Sequence, residues 1–245
     1  PYASPERAAI PASLRDEAGY WTGFTVLPMV IIVNARLVPA DSAPRRWSDL
    51  VAPAFSGSVA FADPARSGSS YTILRTMIVA NSAVVANSAV GSGEEGAWRM
   101  IEGFVGAIGG SPLEESSLVY RGVASGEYLA GLTYENAGAE SQRLGSDVRV
   151  VYPADGTSAV PDGVALIRGA PHGEAARRFI DFVLGYDVAR VVTARFKRRS
   201  ARSDAPVPEG LPPLESIPLV DYDVDAAVSL RAATIGRFAR LTGSR

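Results

Sequence analysis

The run Ser67-Gly68-Ser69-Ser70 lies between a predicted strand that ends at Asp63-Pro64 and an apolar-periodic segment that begins near Tyr71. A loop that leaves a strand and opens a helix presents unpaired backbone N–H groups and hydroxyls, a donor set suited to an anion. Gly68 lets the backbone approach a ligand closely. The same four residues also fit an ordinary helix start, with Ser69 or Ser70 as N-cap. A second predicted helix start, Glu115-Ser116-Ser117, offers the Ser116 hydroxyl to the same anion or caps its own helix. Thr133-Tyr134-Glu135-Asn136 closes another predicted strand, and ligands of α/β sheets bind outside the carboxyl ends of strands. A surface turn explains that cluster equally well. Asp162 sits in a Pro-Asp-Gly turn signal, where it is a turn residue first and a carboxylate ligand second.

Several other chemistries lack their residues. There is no cysteine, so neither a thiolate metal site nor a disulfide framework can form. The single histidine, His172, cannot build a multi-histidine metal site and falls in a loop-like Gly-Ala-Pro-His-Gly stretch. No Gly-x-Ser-x-Gly elbow and no P-loop occur, so hydrolytic catalysis has no nucleophile in a recognisable setting. Gly91-Ser-Gly-Glu-Glu-Gly96 has the spacing of a dinucleotide fingerprint, yet it lacks a preceding strand. It also places Glu94 and Glu95 where a pyrophosphate would sit. No cofactor is therefore expected. Lys and Arg number 24 against 26 Asp and Glu, a net charge of −2, which gives no electrostatic reason to expect a nucleic-acid partner. The local basic run Arg195, Lys197, Arg198, Arg199 and Arg202 reads as a solvated helix end, with a phosphate-binding patch as the alternative.

The elements that must position these residues alternate. Thr25 to Asn34 is almost wholly apolar and rich in β-branched residues, the pattern of a strand buried on both faces. Trp47, Leu50, Val51 and Phe55 suggest a short helix and turn, followed by a strand over 58–62. Helices are predicted over 71–79, 94–105 and 116–125, with strands at 105–108, 127–134, 148–152 and 163–167. The hexapeptide Val-Ala-Asn-Ser-Ala-Val occurs in tandem at 79–84 and 85–90, a local helix extension or loop insertion, since one duplication makes no solenoid. From 172 the apolar spacing turns helical, with Gly185 as a stop and Asp187 capping the next helix. Five prolines between 206 and 218 argue for an extended wrapping segment, and a last amphipathic helix follows Asp223 with Val224, Val228, Ile235 and Phe238 on its apolar face. Alternation of strands and helices implies an α/β fold. The longest apolar run, broken by Pro28, is far short of the ~20 residues a membrane span requires. The opening Pro-Tyr-Ala-Ser-Pro-Glu-Arg has no signal-peptide pattern, so a leader is expected to have been removed or to lie upstream.

Taken together, several stretches resemble the ferric and phosphorylated-solute branch of the bacterial extracytoplasmic solute-binding proteins, which have the type II periplasmic binding fold. They are Trp47-Ser-Asp-Leu-Val-Ala-Pro-Ala-Phe-Ser-Gly57, Val59 to Gly68, Tyr120 to Glu127, Gly131-Leu-Thr-Tyr-Glu135, Tyr152-Pro-Ala-Asp-Gly156, Pro161-Asp-Gly-Val-Ala165 and Ala175 to Phe182. Their order and spacing extend over essentially the whole chain, which is far more specific than any one motif.

The resemblance implies two α/β lobes with a ligand cleft between them and hinge closure on the ligand. It assigns 1–32 and 150–245 mostly to lobe one, with the C-terminal helices packing on either lobe, and 33–149 to lobe two. In that family the Ser-Gly loop resembling Ser67, Gly68, Ser69 and Ser70 wraps an anion with help from a helix start like Ser116, and the strand end resembling Tyr134 and Glu135 faces the cleft. Iron-binding members carry an adjacent tyrosine pair where this chain has Asn136-Ala137. That departure favours a phosphorylated or phosphonate solute over a bare ferric ion, because Tyr134, Glu135 and Asp162 make a sparse set of anionic oxygens for a hard cation. The implied partners are a small anionic solute and the membrane subunits of an ABC importer, and the implied location is periplasmic or extracellular, with or without a lipid anchor. Members also carry opening β-α-β units that this sequence lacks, so the first lobe is expected to be incomplete, to expose a sheet edge and apolar surface, and to be unstable or self-associate. No turnover is implied. A transferase on a similar two-lobed scaffold, resembling porphobilinogen deaminase, and a ligand sensor without a transport role are the alternatives.

Overall fold

The computed structural model describes residues 1–86 and 93–243. Its strands are β1 (Thr22–Asn34), β2 (Val59–Ala60), β3 (Ala130–Tyr134), β4 (Val148–Val151), β5 (Ala159–Val164) and β6 (Arg199–Ser200). Its helices are α1 (Gly68–Ala86), α2 (Gly93–Ala107), α3 (Ser116–Ser125), α4 (Glu135–Arg143), α5 (Gly173–Leu184), α6 (Tyr186–Phe196), α7 (Val224–Ser229) and α8 (Arg231–Thr242). The chain divides into two compact units: Pro1–Leu27 with Ala159–Pro213, and Pro28–Ser158 with the segment from Leu214 onward. The C-terminal helices, which the sequence left free to join either lobe, group with the second unit.

In the second unit the sheet order is β2-β3-β1-β4. β1 runs antiparallel to β3, with Met29 opposite Tyr134, and antiparallel to β4, with Ile31 opposite Val151. β2 runs parallel to β3. Val30, Ile31, Ile32 and Val33 are wholly buried, as their continuous β-branched run requires of a strand covered on both faces. One covering layer is α3, whose Val119 and Val123 pack on Val30, Ile32, Ala60 and Ala62. Elsewhere Phe61 meets Phe104 and Phe238 edge-on, at centroid distances of 5.3 and 5.9 Å. Trp47 is fully buried and donates its indole N–H to the Gly156 carbonyl at 2.9 Å, satisfying the one polar atom of a large apolar side chain. In the first unit β5 and β6 both pair with β1, Thr25 lying opposite Ser200.

Several local expectations are corrected. Residues 105–107 belong to α2 rather than to a strand, because continuing the helix buries Phe104 and Ala107 before Gly109 and Gly110, both at positive φ, end it. β5 begins at Ala159 and ends at Val164, so Pro161-Asp-Gly lies within a strand and not in a turn. The Trp21 ring would stand 3.3 Å from a Cβ at Gly163, which explains the glycine as a close approach. α4 was not anticipated, since its sequence is polar and its buried residues, Glu135, Ala137, Gly138, Ala139 and Ser141, are small or polar and show no apolar period. The expected last helix is two: Asp223 caps α7 through Ala226 N–H, the chain breaks at Leu230, and Val224 and Val228 face solvent while Phe238 is buried. α6 starts at Tyr186, so Asp187 lies in its first turn and does not cap it. The first hexapeptide copy continues α1, and residues 87–90 of the second lie outside the described residues, as does the start of the Gly91–Gly96 motif.

The basic run is dispersed into separate structural roles. Lys197 ends α6 at φ 50° and donates to the Glu209 carbonyl, and Arg199 reaches the Pro212 carbonyl. Arg202 is deeply set between Glu6 and Asp204 and also donates to the Leu184 carbonyl at the end of α5. His172 is exposed ahead of α5. Among the described residues no helix is long and apolar enough to cross a membrane.

Candidate functional site

The pairing of two loops builds the site. Beyond β2, Ala62 bridges in parallel to Leu113: Leu113 N–H donates to the Phe61 carbonyl at 2.8 Å, and Asp63 N–H donates to the Leu113 carbonyl at 2.8 Å. The chain leaving Asp63 toward α1 and the chain leaving Leu113 toward α3 therefore run side by side, and the two helices open next to each other.

At α1 the N-cap is Ser67, earlier than the Ser69 or Ser70 expected. Its hydroxyl oxygen accepts from Ser70 N–H at 3.2 Å and from the Ser70 hydroxyl at 3.0 Å, and lies 3.1 Å from Ser69 Oγ. Asp63 holds the loop, its carbonyl accepting from Arg66 and Ser67 N–H and its carboxylate from Ala65 N–H. Among the described residues the N–H groups of Gly68 and Ser69 have no protein acceptor, as expected of a first helical turn. A Cβ at Gly68 would meet nothing within 4 Å, so the backbone is open there. At α3, Glu115 has the extended backbone of an N-cap, but its side chain caps no N–H and accepts instead from the Ser117 hydroxyl at 3.2 Å. The N–H groups of Ser116 and Ser117 likewise have no protein acceptor among the described residues, whereas Leu118 N–H donates to the Glu115 carbonyl at 3.2 Å.

Both starts line one concavity of about 420 Å³, formed by Arg66, Ser67, Gly68, Ser69, Glu114, Glu115, Ser116 and Ser117. Two helix N-termini add their partial positive charges there. Arg66 and Glu114 approach to 3.5 Å as an exposed pair, which contributes little to stability but leaves one guanidinium and two carboxylates around the rim. The structure thus brings Ser67, Gly68, Ser69 and Ser116 together. Ser70 is buried behind them with its hydroxyl given to Ser67.

The remaining predicted residues stand elsewhere. Tyr134 ends β3. Glu135 opens α4, only 1% exposed, and accepts a hydrogen bond from the Tyr152 hydroxyl at 2.5 Å. The neighbouring Asn136 Oδ1 is buried with no hydrogen-bond partner among the described residues. Asp162 belongs to the first unit, where Arg198 and the Thr25 hydroxyl both donate to it and Arg198 Nε also donates to Thr25 Oγ1 at 3.0 Å. Among the described residues no three His, Cys, Asp or Glu side chains cluster as a metal site. Arg66 and Tyr152 had no independent signal in the sequence, one being an ordinary loop arginine and the other a strand-end tyrosine.

The profile of the bacterial extracellular solute-binding proteins matches residues 1–224. The chain belongs to this family. The solute-binding protein is 27% identical to iron uptake protein A1 of Synechocystis over 186 residues, 71% of this chain and 48% of that protein. It thus spans about half the length of that relative, and 37% of an uncharacterized Haemophilus influenzae protein that it matches at 28% identity over 58% of its own length. Among solved structures it is similar to the periplasmic binding protein AfuA of Actinobacillus pleuropneumoniae with fructose-6-phosphate bound, at a TM-score of 0.86 and 20% identity over all of this chain and 76% of that one. It is also similar to the Campylobacter jejuni ferric binding protein, at a TM-score of 0.76 and 18% identity over 98% of this chain and 76% of that one. These likenesses fix the fold as that of the type II periplasmic binding proteins, and the family recognised in the sequence holds.

Proposed function

We propose that this solute-binding protein captures a phosphorylated or phosphonate-bearing organic solute outside the cytoplasm and delivers it to the membrane subunits of an ABC importer, without turnover. The convergence of the α1 and α3 starts in one concavity carries the reading. An oxyanion there accepts from the free N–H groups of both first turns and from the Ser69 and Ser116 hydroxyls, with Arg66 adding charge at the rim. Glu114 and Glu115 disfavour a bare polyanion and suit a guest that also carries hydroxyl donors, which carboxylates accept. The AfuA relative, with its bound sugar phosphate, supports this substrate class.

A second reading, a ferric ion carried with a synergistic anion, draws support from the iron uptake relative and from the close Glu135 and Tyr152 oxygens. Isothermal titration with fructose-6-phosphate and, separately, with ferric citrate distinguishes the two. The first reading expects saturable binding of the sugar phosphate, weakened about tenfold or more by Ser69→Ala combined with Ser116→Ala. Sugar-phosphate affinity unchanged in that double variant removes the concavity from the mechanism, and binding of ferric citrate alone, lost in Tyr152→Phe, replaces the first reading with the second.

A further inference from the structure

Arg75 lies on α1 seven residues beyond Gly68, hence on the same helical face two turns on. It is only 8% exposed, and its Nε is buried with no hydrogen-bond partner. Among the described residues no carboxylate, carbonyl or hydroxyl accepts from its guanidinium at all. Helical side chains lean toward the N-terminus, so the guanidinium lies over the turn that carries Tyr71 and Thr72. Burial raises the phenol pKa of Tyr71 and of Tyr222, and in both the Arg75 charge works against that rise, which puts one cation within electrostatic reach of both rings.

The other groups facing it are accounted for. Tyr71 donates its hydroxyl to the Ala227 carbonyl, Thr72 donates to the Gly68 carbonyl at 3.1 Å, and the Arg231 guanidinium stands 4.9 Å above the Tyr71 ring. Among the described residues the surroundings therefore hold a second cation and no neutralising anion. The acids of the covering segment are engaged elsewhere or exposed: Asp223 caps α7, and Asp221 and Asp225 face solvent. A guanidinium withdrawn from water without a counter-charge is unfavourable, because its lost hydration is replaced by nothing. Its planar fork of donors matches the oxygens of a phosphoryl or carboxyl group.

We propose that Arg75 is the counter-charge for a small oxyanion, phosphoryl or carboxyl, held between α1 and the C-terminal segment around Tyr222, a second anion site in the same unit as the serine-lined concavity. It stands whether or not the concavity takes a solute.

The test is thermal unfolding of the whole chain, titrated with sodium phosphate and, separately, with sodium acetate at ionic strength held constant by sodium chloride. It is run on the wild type, on Ser69→Ala/Ser116→Ala, and on Arg75→Met and Arg75→Lys, each alone and combined with the serine double variant. The wild type and the serine double variant should each show a saturable rise in Tm, about 3–6 °C at ten times the dissociation constant. Added to the serine double variant, Arg75→Met should abolish that rise, and Arg75→Met alone should melt higher than wild type when no oxyanion is present, since an unpaired buried charge has been removed. Arg75→Lys should keep a weakened response. The salt that acts at the lower concentration tells phosphoryl from carboxyl. A saturable rise that persists unchanged when Arg75→Met, or Arg75→Lys should the methionine variant not fold, is added to the serine double variant overturns the proposal, as does a wild type with no saturable response.

Discussion

Ser67 shows how one side chain serves stability and the site together. Its hydroxyl is the N-cap of α1 and accepts from the buried Ser70 hydroxyl. Ser67→Ala removes the cap and strands a buried donor, so the variant should lose about 1–2 kcal/mol, measured by urea unfolding. Ser67→Gly should not rescue it, because the Ser70 hydroxyl stays unpaired. Asp155 makes a pH-dependent contribution. Burial pushes its carboxyl above the usual range, opposed by the Trp47 N–H bonds at 3.2 and 3.3 Å. A raised pKa means the folded state favours the protonated acid. The stability this supplies is complete below the unfolded pKa and is lost as pH rises through the folded one. Asp155→Asn keeps an acceptor for Trp47 N–H and cannot ionise, so its stability relative to wild type should climb from pH 3.5 upward through the acid range. A constant difference across that range, measured by unfolding at each pH, would assign Asp155 no linkage.

At the scale of elements, the fit between β3 and α3 sets where the second helix start sits. A Cβ on Gly131 would stand 2.8 Å from Val123 Cγ2 and 2.9 Å from Val119 Cγ1, too close for either to remain in place. Gly131→Ala should therefore push α3 outward, at a cost of about 1–3 kcal/mol, and weaken solute binding by moving Ser116. Adding Val123→Ala should return part of both losses, a non-additivity visible in a double-mutant cycle of stability and affinity. This packing also explains what the sequence disclosed. The bounds of α3 and the two-sided burial of β1 followed from apolar period and β-branching, because both elements bury side chains strong enough to show a pattern. α4 was missed because its buried residues are small or polar, with Gly138 set against Ile32 and Val150, where fit depends on smallness and leaves no apolar period. The serines were legible as two possible anion donors from helix-start chemistry alone. Their meeting depended on the Ala62–Leu113 bridge, a long-range pairing with no local signature, and the pairing of Asp162 with Arg198, 36 residues away, left none either.

At the scale of the whole molecule, the apolar surface of α5 sets how the chain behaves at high concentration. Phe179 and Phe182 are 61% and 65% exposed, and with Ala175 they repeat at four and three residues, a short stripe along one face of α5. The far side of the helix is already engaged through Ile180 and Leu184 in the core and through Asp181, which accepts from the Tyr2 hydroxyl. The stripe is flanked by the exposed Glu174–Arg178 pair, which cannot shield two phenyl rings. Contiguous aromatic surface of this kind drives association, each ring contributing on the order of 1.5–3 kcal/mol when it leaves water. Sedimentation velocity over a concentration series should show the average mass of the wild-type chain rising with concentration. Phe179→Glu/Phe182→Lys should weaken that association by tenfold or more, while changing unfolding stability by only about 0.5 kcal/mol, since both side chains lie outside the core. If association persists undiminished in that double variant, the contact lies on another face of the molecule. If the wild type stays monomeric throughout, the stripe is too narrow to hold a second copy.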